Sequence, residues 1–523
     1  MNKELKALAE KVLIRLETAS EELGLSDENR IRDALSTLGY ENFEIPLKTL
    51  RMLYPLSREG EGEYTVTLVH KDYSLVMTKI EPGDTRGHLY GIALDYGSTT
   101  IVMQLVNLND GKVIYQHREI NDQREYGKDI LTRIVHGLAG TEARRQLHLA
   151  VVNSIQRGLK ILTQETGIEL TDCPIMVMAG NTTMIHFLLE LDAWTVFSSP
   201  YCPVTTAPGY FFANELEIDF PGLVYIFPSA SNYIGGDIVS GLITLDMLDT
   251  DKIQILFDVG TNGEMVVGCK DWIVAGAGAA GPALEGDISR FGMVAGAGAI
   301  SHMKITKDQV WYETIEDAAP VGICGSGIVD LVAEMRLNGW IDIAGKLRPE
   351  AGNHIVLKEN EEGEREYAAV YVWAKDSGLG EDLYFSQTDI DQYTNAKAAA
   401  HTMLECLLET AGIAEDDIDI MNMSGAMCEH SDLESAITIG MFPDLPRNKF
   451  VNLHNSSLDG ARTLLLNRDK LKEIQRILNM IYCVQLASVP DFTVRMMAAK
   501  FLPHTDQYRY PTVFAHLKEL GMD

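Results

Sequence analysis

The sequence lacks any long apolar run and is poor in basic residues. No window of the 523 residues approaches eighteen uninterrupted apolar positions, so we expect no membrane-spanning helix. The polar start, Met-Asn-Lys-Glu-Leu, lacks the apolar stretch of a signal peptide. The 44 Lys and Arg are outnumbered by 75 Asp and Glu, which gives a formal charge of −31. Binding to a phosphate backbone needs a basic face, so nucleic acid is excluded as an expected partner.

Cysteine is also scarce. The seven cysteines are dispersed, and the closest two are 22 positions apart. This odd, unclustered set argues against a disulfide framework, and it offers no Cys-x-x-Cys spacing for zinc or an iron–sulfur cluster. We therefore expect a reduced, cytoplasmic protein with no iron–sulfur cluster in this chain. The order of Ser, His and Asp residues does not favour a hydrolase triad, and His186 is expected to be a core histidine, or one that supports a site residue, rather than a metal ligand.

The length predicts three or four domains. Apolar residues at helical spacing predict an amphipathic helix over residues 1–26; they are Leu5, Leu8, Val12 and Leu16. Residues 27–89 predict a small α+β unit, in which the alternating segments EYTVTLVH and YSLVMTKI form a β-hairpin.

From Tyr90 onwards, a β-β-β-α-β-α order of elements occurs twice, about 163 positions apart. An internal duplication explains this most economically. The first lobe is expected over 90–192 and the second over 253–523. Residues 193–252 are expected to connect them, and about 300–393 to be an insertion in the second lobe.

Each copy ends its first strand in an Asp-x-Gly-[Ser/Thr] turn, and two such turns in register indicate a phosphate-binding site. The glycine lets the backbone approach phosphate oxygens, and the following amides and hydroxyls point at them. The residues expected to bind phosphate are Gly97, Ser98, Thr99 and Thr100 in the first copy, and Gly260, Thr261, Asn262 and Gly263 in the second. Asp95 and Asp258 can hold a hydrated Mg²⁺ that neutralises the phosphates, and Glu264 is a further catalytic candidate. The alternative is that one or both turns are purely structural.

Other glycine-rich or capping segments are weaker candidates. Gly281 can admit a ligand to the backbone and Glu285 can position water or metal, unless this segment is only a tight connection. Gly325 and Ser326 open a helix whose N-terminus can receive an anion. Asn181 and Thr182 follow an apolar strand, where they either cap a helix or face the cleft.

Several long motifs resemble, in the same order, the reductive activators of corrinoid proteins, which use ATP to return cob(II)alamin to cob(I)alamin. They are IEPGD, LDYGSTT, NDQREYGKDILTRI, MAGNTTMIHFLLELD, FDVGTNGEMVVG, AAGPALEG and GICGSGIVDLVAEM. The resemblance runs from about residue 35 to 485. It implies a duplicated RNase-H-like α/β fold of the acetate/sugar kinase–Hsc70–actin class, with two lobes and a small α+β N-terminal domain. ATP and Mg²⁺ would lie between the lobes, with the turn at Gly425 near the adenosine. The implied partner is a corrinoid protein of a methyltransferase system, and a homodimer is left open.

Three features depart from this family. Its members generally begin with a 2Fe–2S ferredoxin domain, but no cysteine precedes Cys173 here. We therefore expect electrons from an external ferredoxin or flavoprotein. The usual Gly-Gly-Phe-Gly at the adenosine turn is Ser-Gly-Ala-Met over 424–427, and the usual Asn-Pro is Asn121-Asp122. Two other functions remain open: a non-catalytic relative that binds a corrinoid protein or cobalamin, and a small-molecule kinase on the same fold.

Overall fold

The computed structural model describes residues 5–17, 24–59, 62–260, 263–278, 288–306, 309–359, 363–425 and 430–522. Contacts divide the chain into two compact units. The first comprises Met1–Asp246 with Ser456–Met480, and the second comprises Met247–Asn455 with Ile481–Asp523. Within the described residues, every helix is too short or too polar to cross a bilayer.

The first unit begins with a four-stranded sheet in the order β1-β3-β4-β2. Its strands are β1 (Ala9–Arg15), β2 (Phe43–Glu44), β3 (Glu63–His70) and β4 (Leu75–Pro82), and its helices are α1 (Asp27–Ser36) and α2 (Leu47–Glu59). The antiparallel pairing of β3 and β4 confirms the predicted hairpin.

The predicted N-terminal helix is wrong where the structure describes it, because Ala9–Arg15 is a strand. The residues pair antiparallel with β3, and Ala9 lies opposite Val69. The run Val12-Leu13-Ile14 is rich in β-branched residues, and pairing with an apolar strand outweighs the helical spacing of the leucines.

A six-stranded sheet in the order β7-β6-β5-β8-β10-β9 follows in the same unit. Its strands are β5 (Tyr90–Tyr96), β6 (Thr100–Asn107), β7 (Val113–Ile120), β8 (Ile175–Gly180), β9 (Gly209–Phe212) and β10 (Leu223–Ile226). The helices of this part are α3 (Ile130–Gly137), α4 (Thr141–Thr166), α5 (Thr182–Leu188), α6 (Trp194–Phe197) and α7 (Gly236–Leu242). Three successive strands follow from Tyr90, as the strand pattern of the sequence predicts.

The segment 193–252 is more than a connection. Its strand β10 pairs parallel with β8, and β9 pairs antiparallel with β10. Strands β9 and β10 have only four residues each, which is too short to show a strand period in the sequence. The sheet of the first lobe therefore extends beyond residue 192.

The second unit contains a sheet in the order β21-β20-β11-β12-β13-β22, and two three-stranded sheets, β15-β14-β16 and β17-β18-β19. The strands are β11 (Gln254–Val259), β12 (Gly263–Cys269), β13 (Trp272–Gly278), β14 (Ala299–Thr306), β15 (Gln309–Thr314), β16 (Gly322–Ile323), β17 (Ile355–Glu359), β18 (Arg365–Val372), β19 (Leu383–Ser386), β20 (Ile420–Ser424), β21 (Phe450–Asn452) and β22 (Ile481–Cys483). The helices from here on are α8 (Gly325–Leu337), α9 (Gln387–Ala411), α10 (Leu433–Thr438), α11 (Ser456–Leu466), α12 (Lys470–Met480), α13 (Phe492–Ala499) and α14 (Pro511–Glu519).

The duplication is visible in the strand orders. The series β7-β6-β5-β8-β10 in the first sheet has the same connectivity and directions as β13-β12-β11-β20-β21 in the second. This confirms the predicted duplicated α/β fold.

Residues of α11 and α12 belong to the first unit, although the sequence assigned them to the second lobe. The helix α11 packs so closely on α7 that a Cβ at Gly460 would overlap the carbonyl oxygen of Ser240. The Ser240 hydroxyl donates to the carbonyl oxygen of Ser457 at 2.7 Å. These contacts join positions more than two hundred residues apart, which no local pattern reveals.

Candidate functional site

The first Asp-x-Gly turn is a tight connection between β5 and β6. Asp95 lies at the end of β5, and the N–H of Gly97 donates to the carbonyl oxygen of Thr100 at 3.1 Å. A Cβ at Gly97 would lie 2.5 Å from that oxygen, so only glycine fits. The predicted loop residues 97–100 therefore form one turn, as expected.

Three successive carbonyl groups of this turn are bound from the protein side. The side chain of Asn121 donates to the oxygen of Gly97 at 3.0 Å, and its backbone N–H donates to that of Thr99 at 3.1 Å. Between them, Nη1 of Arg133 donates to the oxygen of Ser98 at 2.7 Å. In a trans peptide the N–H points opposite to the C=O, so the N–H groups of Ser98 and Thr99 face the other side. Amides arranged in this way form a concavity suited to an anion.

Asn121, which binds the turn from the protein side, is itself held in place. Asn121 is fully buried, and its Oδ1 accepts from the N–H of Gln123 at 3.1 Å. The Gln123 side chain accepts from the Tyr96 hydroxyl at 2.9 Å and donates to the carbonyl of Leu147 at 2.8 Å. The motif NDQREYGKDILTRI, which supported the family resemblance, thus contains the residues that support the loop.

Asp122, which replaces the usual proline, has partners of its own. Its N–H, which a proline would lack, donates to the Ser154 hydroxyl at 3.0 Å. Its carboxylate accepts two hydrogen bonds from Arg157, at 2.6 and 2.9 Å. This departure from the family pattern is therefore accommodated, and the hydrogen bonds from Asn121 to the turn are kept.

Further groups surround Asp95. The Ser457 hydroxyl donates to its Oδ1 at 2.8 Å. Asp237, at the start of α7, is half-buried and close enough for the two carboxylates to interact. Desolvation raises the pKa of Asp237 to about 7, and the charge of Asp95 adds to the rise. Two neighbouring carboxylates with a hydroxyl are an oxygen donor set of the kind that Mg²⁺ prefers, so the residues present fit this ion.

Asn181 and Thr182 lie beside this group. They follow β8, whose last residue Gly180 pairs with Tyr96. Asn181 caps α5 by accepting from the N–H of Thr183 at 3.0 Å. A Cβ at Gly235 would lie 2.7 Å from Cα of Asn181, which brings the start of α7 against the same strand end.

The predicted role of His186 as a core residue is confirmed. Its Nδ1 lies 2.7 Å from the carbonyl oxygen of Thr182, and its Nε2 accepts from the N–H of Val204 at 3.1 Å. Both ring nitrogens are thus used, and burial lowers the pKa of the imidazole.

In the second half, Asp258 occupies the same strand position but has different neighbours. It pairs across the sheet with Glu264 on β12 and with Ser424 on β20, so the three side chains share one face. Glu264 is buried, and the Ser424 hydroxyl lies 3.4 Å from Oδ2 of Asp258. Gly260 follows the strand, and Gly263 begins β12 opposite Val259.

The turn after β20 requires its glycine. Gly425 has a φ of +100°, and a Cβ there would overlap the carbonyl oxygen of Val259. The preceding Ser424 is buried, with its hydroxyl also 3.4 Å from the carbonyl oxygen of His454. Ser424 stands where the family usually has a glycine, and its side chain is turned towards Asp258.

The other predicted site residues fall into two groups. Gly325 and Ser326 open α8, and the Ser326 hydroxyl donates to the carbonyl oxygen of Ser301 on β14 at 2.9 Å. This places them in the insertion rather than on the strand that carries Asp258. The remaining four lie outside the described residues: Thr261, Asn262, Gly281 and Glu285.

Sequence reasoning missed four residues of the first site: Asn121, Arg133, Asp237 and Ser457. The first two stood inside a quoted motif, and Asp237 follows a pair of glycines that signals close backbone approach. Ser457 lies 362 positions from Asp95, and the sequence carries no signal of that contact.

One group in the described part of the second unit has the spacing of a metal site: His401, Glu405 and His504. Arg509 forms an ion pair with Glu405 and lies 3.2 Å from Nε2 of His401. The N–H of Asp506 donates to Nδ1 of His504 at 2.9 Å. With these partners, the group is a partly buried ion pair between Arg509 and Glu405, flanked by two buried histidines.

Comparison with known proteins identifies the family. Models of the RACo linker region, the RACo middle region, and the C-terminal domain of RACo, described as the ASKHA domain, match residues 2–87, 90–250 and 252–514. The corrinoid activation enzyme RamQ of Eubacterium limosum is 28% identical over 78% of this chain and 70% of its own length. The Co(II) methylated amine-specific corrinoid protein reductase of Methanosarcina barkeri is 23% identical over 75% of this chain and 73% of its own.

A solved structure of a reductive activator for a corrinoid, iron–sulfur protein matches with a TM-score of 0.88 and 33% identity. The match covers 98% of this chain and 82% of that one. The chain therefore belongs to the RACo family of corrinoid-protein activators, with the duplicated fold of the ASKHA class.

Proposed function

We propose that this protein is an ATP-dependent activator of a corrinoid protein. In the proposed reaction, cob(II)alamin on the partner gains one electron and becomes cob(I)alamin, which is competent for methyl transfer, while ATP is hydrolysed to ADP and phosphate. The relatives named above are a corrinoid activation enzyme and a corrinoid protein reductase, which favours this substrate.

The observation that carries the proposal is the first Asp-x-Gly turn. Its carbonyl groups are bound from behind by Asn121 and Arg133, so the amides of the same peptides face the opposite side, where phosphate would lie. Asp95 and Asp258 end equivalent strands of the two sheets, and each would hold Mg²⁺ through bound water. The ion would neutralise the phosphate charge. Asp237, beside Asp95, is our candidate for orienting the attacking water.

The electron must be carried to the partner from a centre outside these 523 residues, because the cysteines of this chain are dispersed. A ferredoxin or a flavoprotein is the donor that we propose. Nucleotide can assist the reduction only if the nucleotide-bound protein binds one state of the corrinoid protein more tightly than the other. We propose that it favours the state in which the cobalt lacks its lower ligand.

The test is cob(II)alamin loss, followed by absorbance, in a mixture of the chain, ATP-Mg²⁺, a corrinoid protein and a chemical reductant. We expect loss only when ATP is present, and a rate reduced by Asp95→Asn. The variant Asp219→Asn, at an exposed position of the same unit, is the matched control. Equal rates with and without ATP would refute the proposal.

Calorimetric titration with ATP-Mg²⁺ addresses the non-catalytic alternative. No binding would support this alternative, a relative with a degenerate nucleotide site that binds a corrinoid protein or cobalamin without turnover. Phosphate transfer to a metabolite, rather than to water, would identify a kinase.

A further inference from the structure

The side chain of Arg133 is the most unusual buried group near the first turn. It lies on α3 and is fully buried. Its Nε donates to the carbonyl oxygen of Gly127 at 2.9 Å, and its Nη1 donates to that of Ser98 at 2.7 Å. A Cβ at Gly127 would lie 2.8 Å from Cβ of Thr132, so glycine permits this close approach.

The charge of Arg133 has no close counter-charge in the described residues. Its Nη2 is buried without a hydrogen-bond partner, and no described carboxylate forms an ion pair with it. Asp129, one turn earlier, attracts it only at longer range, and Arg124 repels it. An arginine remains charged in a protein, so this is a desolvated cation that lacks a direct anionic partner.

A second buried arginine in the other unit shows what a purely structural role looks like. Arg336 is also buried and donates to backbone carbonyl groups, through Nε to Leu502 and through both Nη atoms to Met522. All of its nitrogens are used. Arg133 differs in two ways. Its Nη2 has no hydrogen-bond partner in the described residues, and its Nη1 donates to the middle carbonyl of a turn that faces the proposed phosphate site.

We propose that Arg133 is a positioning residue for nucleotide phosphate, and that the phosphate supplies the counter-charge that Arg133 lacks. The proposal rests on the proposed nucleotide binding. A hydrogen bond from a cation to the oxygen of Ser98 polarises that peptide, so the N–H of Thr99 on the same peptide becomes a stronger donor. The charge of Arg133 thus acts on the phosphate through the peptide of the turn. The guanidinium also fixes the orientation of this peptide, with the carbonyl group of Ser98 towards the protein interior.

The experiment compares Arg133→Met with Arg133→Gln and with the control Arg336→Met. Arg133→Met removes the charge and the donors, whereas Arg133→Gln removes the charge and keeps a donor. The affinities for ATP-Mg²⁺ and for adenosine are measured by calorimetry in each folded variant. Wild-type binding of ATP-Mg²⁺ is measured first, because its absence would refute the proposed function itself.

We expect Arg133→Met to weaken ATP-Mg²⁺ binding about tenfold to a hundredfold, in the range found when a hydrogen-bonded charge is lost. Arg133→Gln should weaken it by at least about fivefold, since the charge is gone. Adenosine, which carries no phosphate, should bind each variant as it binds the wild type. Arg336→Met should leave both affinities within twofold of the wild type.

The inference is overturned if wild type binds ATP-Mg²⁺ and either Arg133 variant binds it within twofold. It is also overturned if the Arg133 variants lose affinity for ATP-Mg²⁺ and for adenosine by the same factor, since that pattern indicates general damage to the fold. If Arg133→Met does not fold, Arg133→Gln decides by the same criteria.

Discussion

The two halves of the protein carry equivalent strands that end in an aspartate, but they surround this aspartate with different side chains. In the first half, Asp95 accepts a short hydrogen bond from Ser457, and Arg133 and Asn121 brace the turn from behind. In the second half, Asp258 shares a sheet face with Glu264, another carboxylate. The position on β6 that corresponds to Glu264 is Val102.

This difference separates two ways of preparing the nucleotide sites that we propose. The first half places the charge of Arg133 behind the turn, and its second carboxylate, Asp237, comes from α7 rather than from the neighbouring strand. The second half places two acidic groups side by side, which is favourable only if a cation or a proton lies between them. We infer that the two halves are prepared differently: the first for phosphate together with a cation, and the second for a cation.

The largest expected effect comes from removing each aspartate. Asp95→Asn should lower ATP-dependent cob(II)alamin loss about 100-fold, as disrupted metal sites commonly do. Asp258→Asn should lower it only about tenfold, because Glu264 remains on the same face. The double variant Asp258→Asn/Glu264→Gln should then match Asp95→Asn.

The control for this series is the Mg²⁺ dependence of the rate. The second-half variants should need more Mg²⁺ for half-maximal rate, and excess Mg²⁺ should recover part of the loss. Equal losses in Asp95→Asn and Asp258→Asn, with no further loss in the double variant, would contradict the inequality of the halves.

The next effect concerns two glycines at equivalent strand ends, Gly180 opposite Tyr96 and Gly425 following Ser424. Gly425→Ala should destabilise the protein by about 3 kcal/mol, because φ is positive and the Cβ overlaps Val259. Gly180→Ala should cost about 1 kcal/mol, since its Cβ would lie 3.0 Å from the carbonyl oxygen of Tyr96 without backbone strain.

Thermal unfolding of the variants measures this difference. Gly412→Ala is the matched control, with a φ of +71° and open space around the added Cβ, and should cost about 1 kcal/mol. If Gly425→Ala is no worse than Gly412→Ala, the close approach of Val259 does not constrain the turn.

Much of this architecture is available from the sequence because it repeats. The strand–turn signals at Asp95 and Asp258 are local, and their register in a duplicated order indicates the fold and the two turns that we propose as the site. The N-terminal strand was mistaken for a helix because its leucines happen to fall at helical spacing. The motif that contains Asn121 is visible in the sequence, but the role of Asn121 depends on which carbonyl groups it binds in the fold. Ser457 returns from 362 positions away, and only tertiary structure reveals it.

A smaller effect is expected from the two serines that contact the aspartates. Ser457→Ala should weaken ATP-Mg²⁺ binding about tenfold, because a 2.8 Å hydrogen bond to a carboxylate is lost. Ser424→Ala should weaken it by about threefold or less, since its hydroxyl lies 3.4 Å from Asp258. Calorimetry on both variants tests this order, and a larger loss of ATP-Mg²⁺ affinity in Ser424→Ala than in Ser457→Ala would contradict it.

The smallest effect is a pH dependence confined to the first half. The pKa of Asp237 is raised in the folded protein, so the native state holds a proton that the unfolded chain releases above about pH 4. Stability should therefore fall as pH rises from about 4 to 7, and Asp237→Asn should remove this part of the slope. Denaturant unfolding at pH 5 and pH 7.5 measures the slope, with Asp219→Asn as the exposed control.

Mg²⁺ should flatten the wild-type slope, because a cation between Asp95 and Asp237 stabilises both carboxylates in their charged form. A slope that Mg²⁺ leaves unchanged would place the ion away from this pair, and the first half would then bind phosphate through its amides alone.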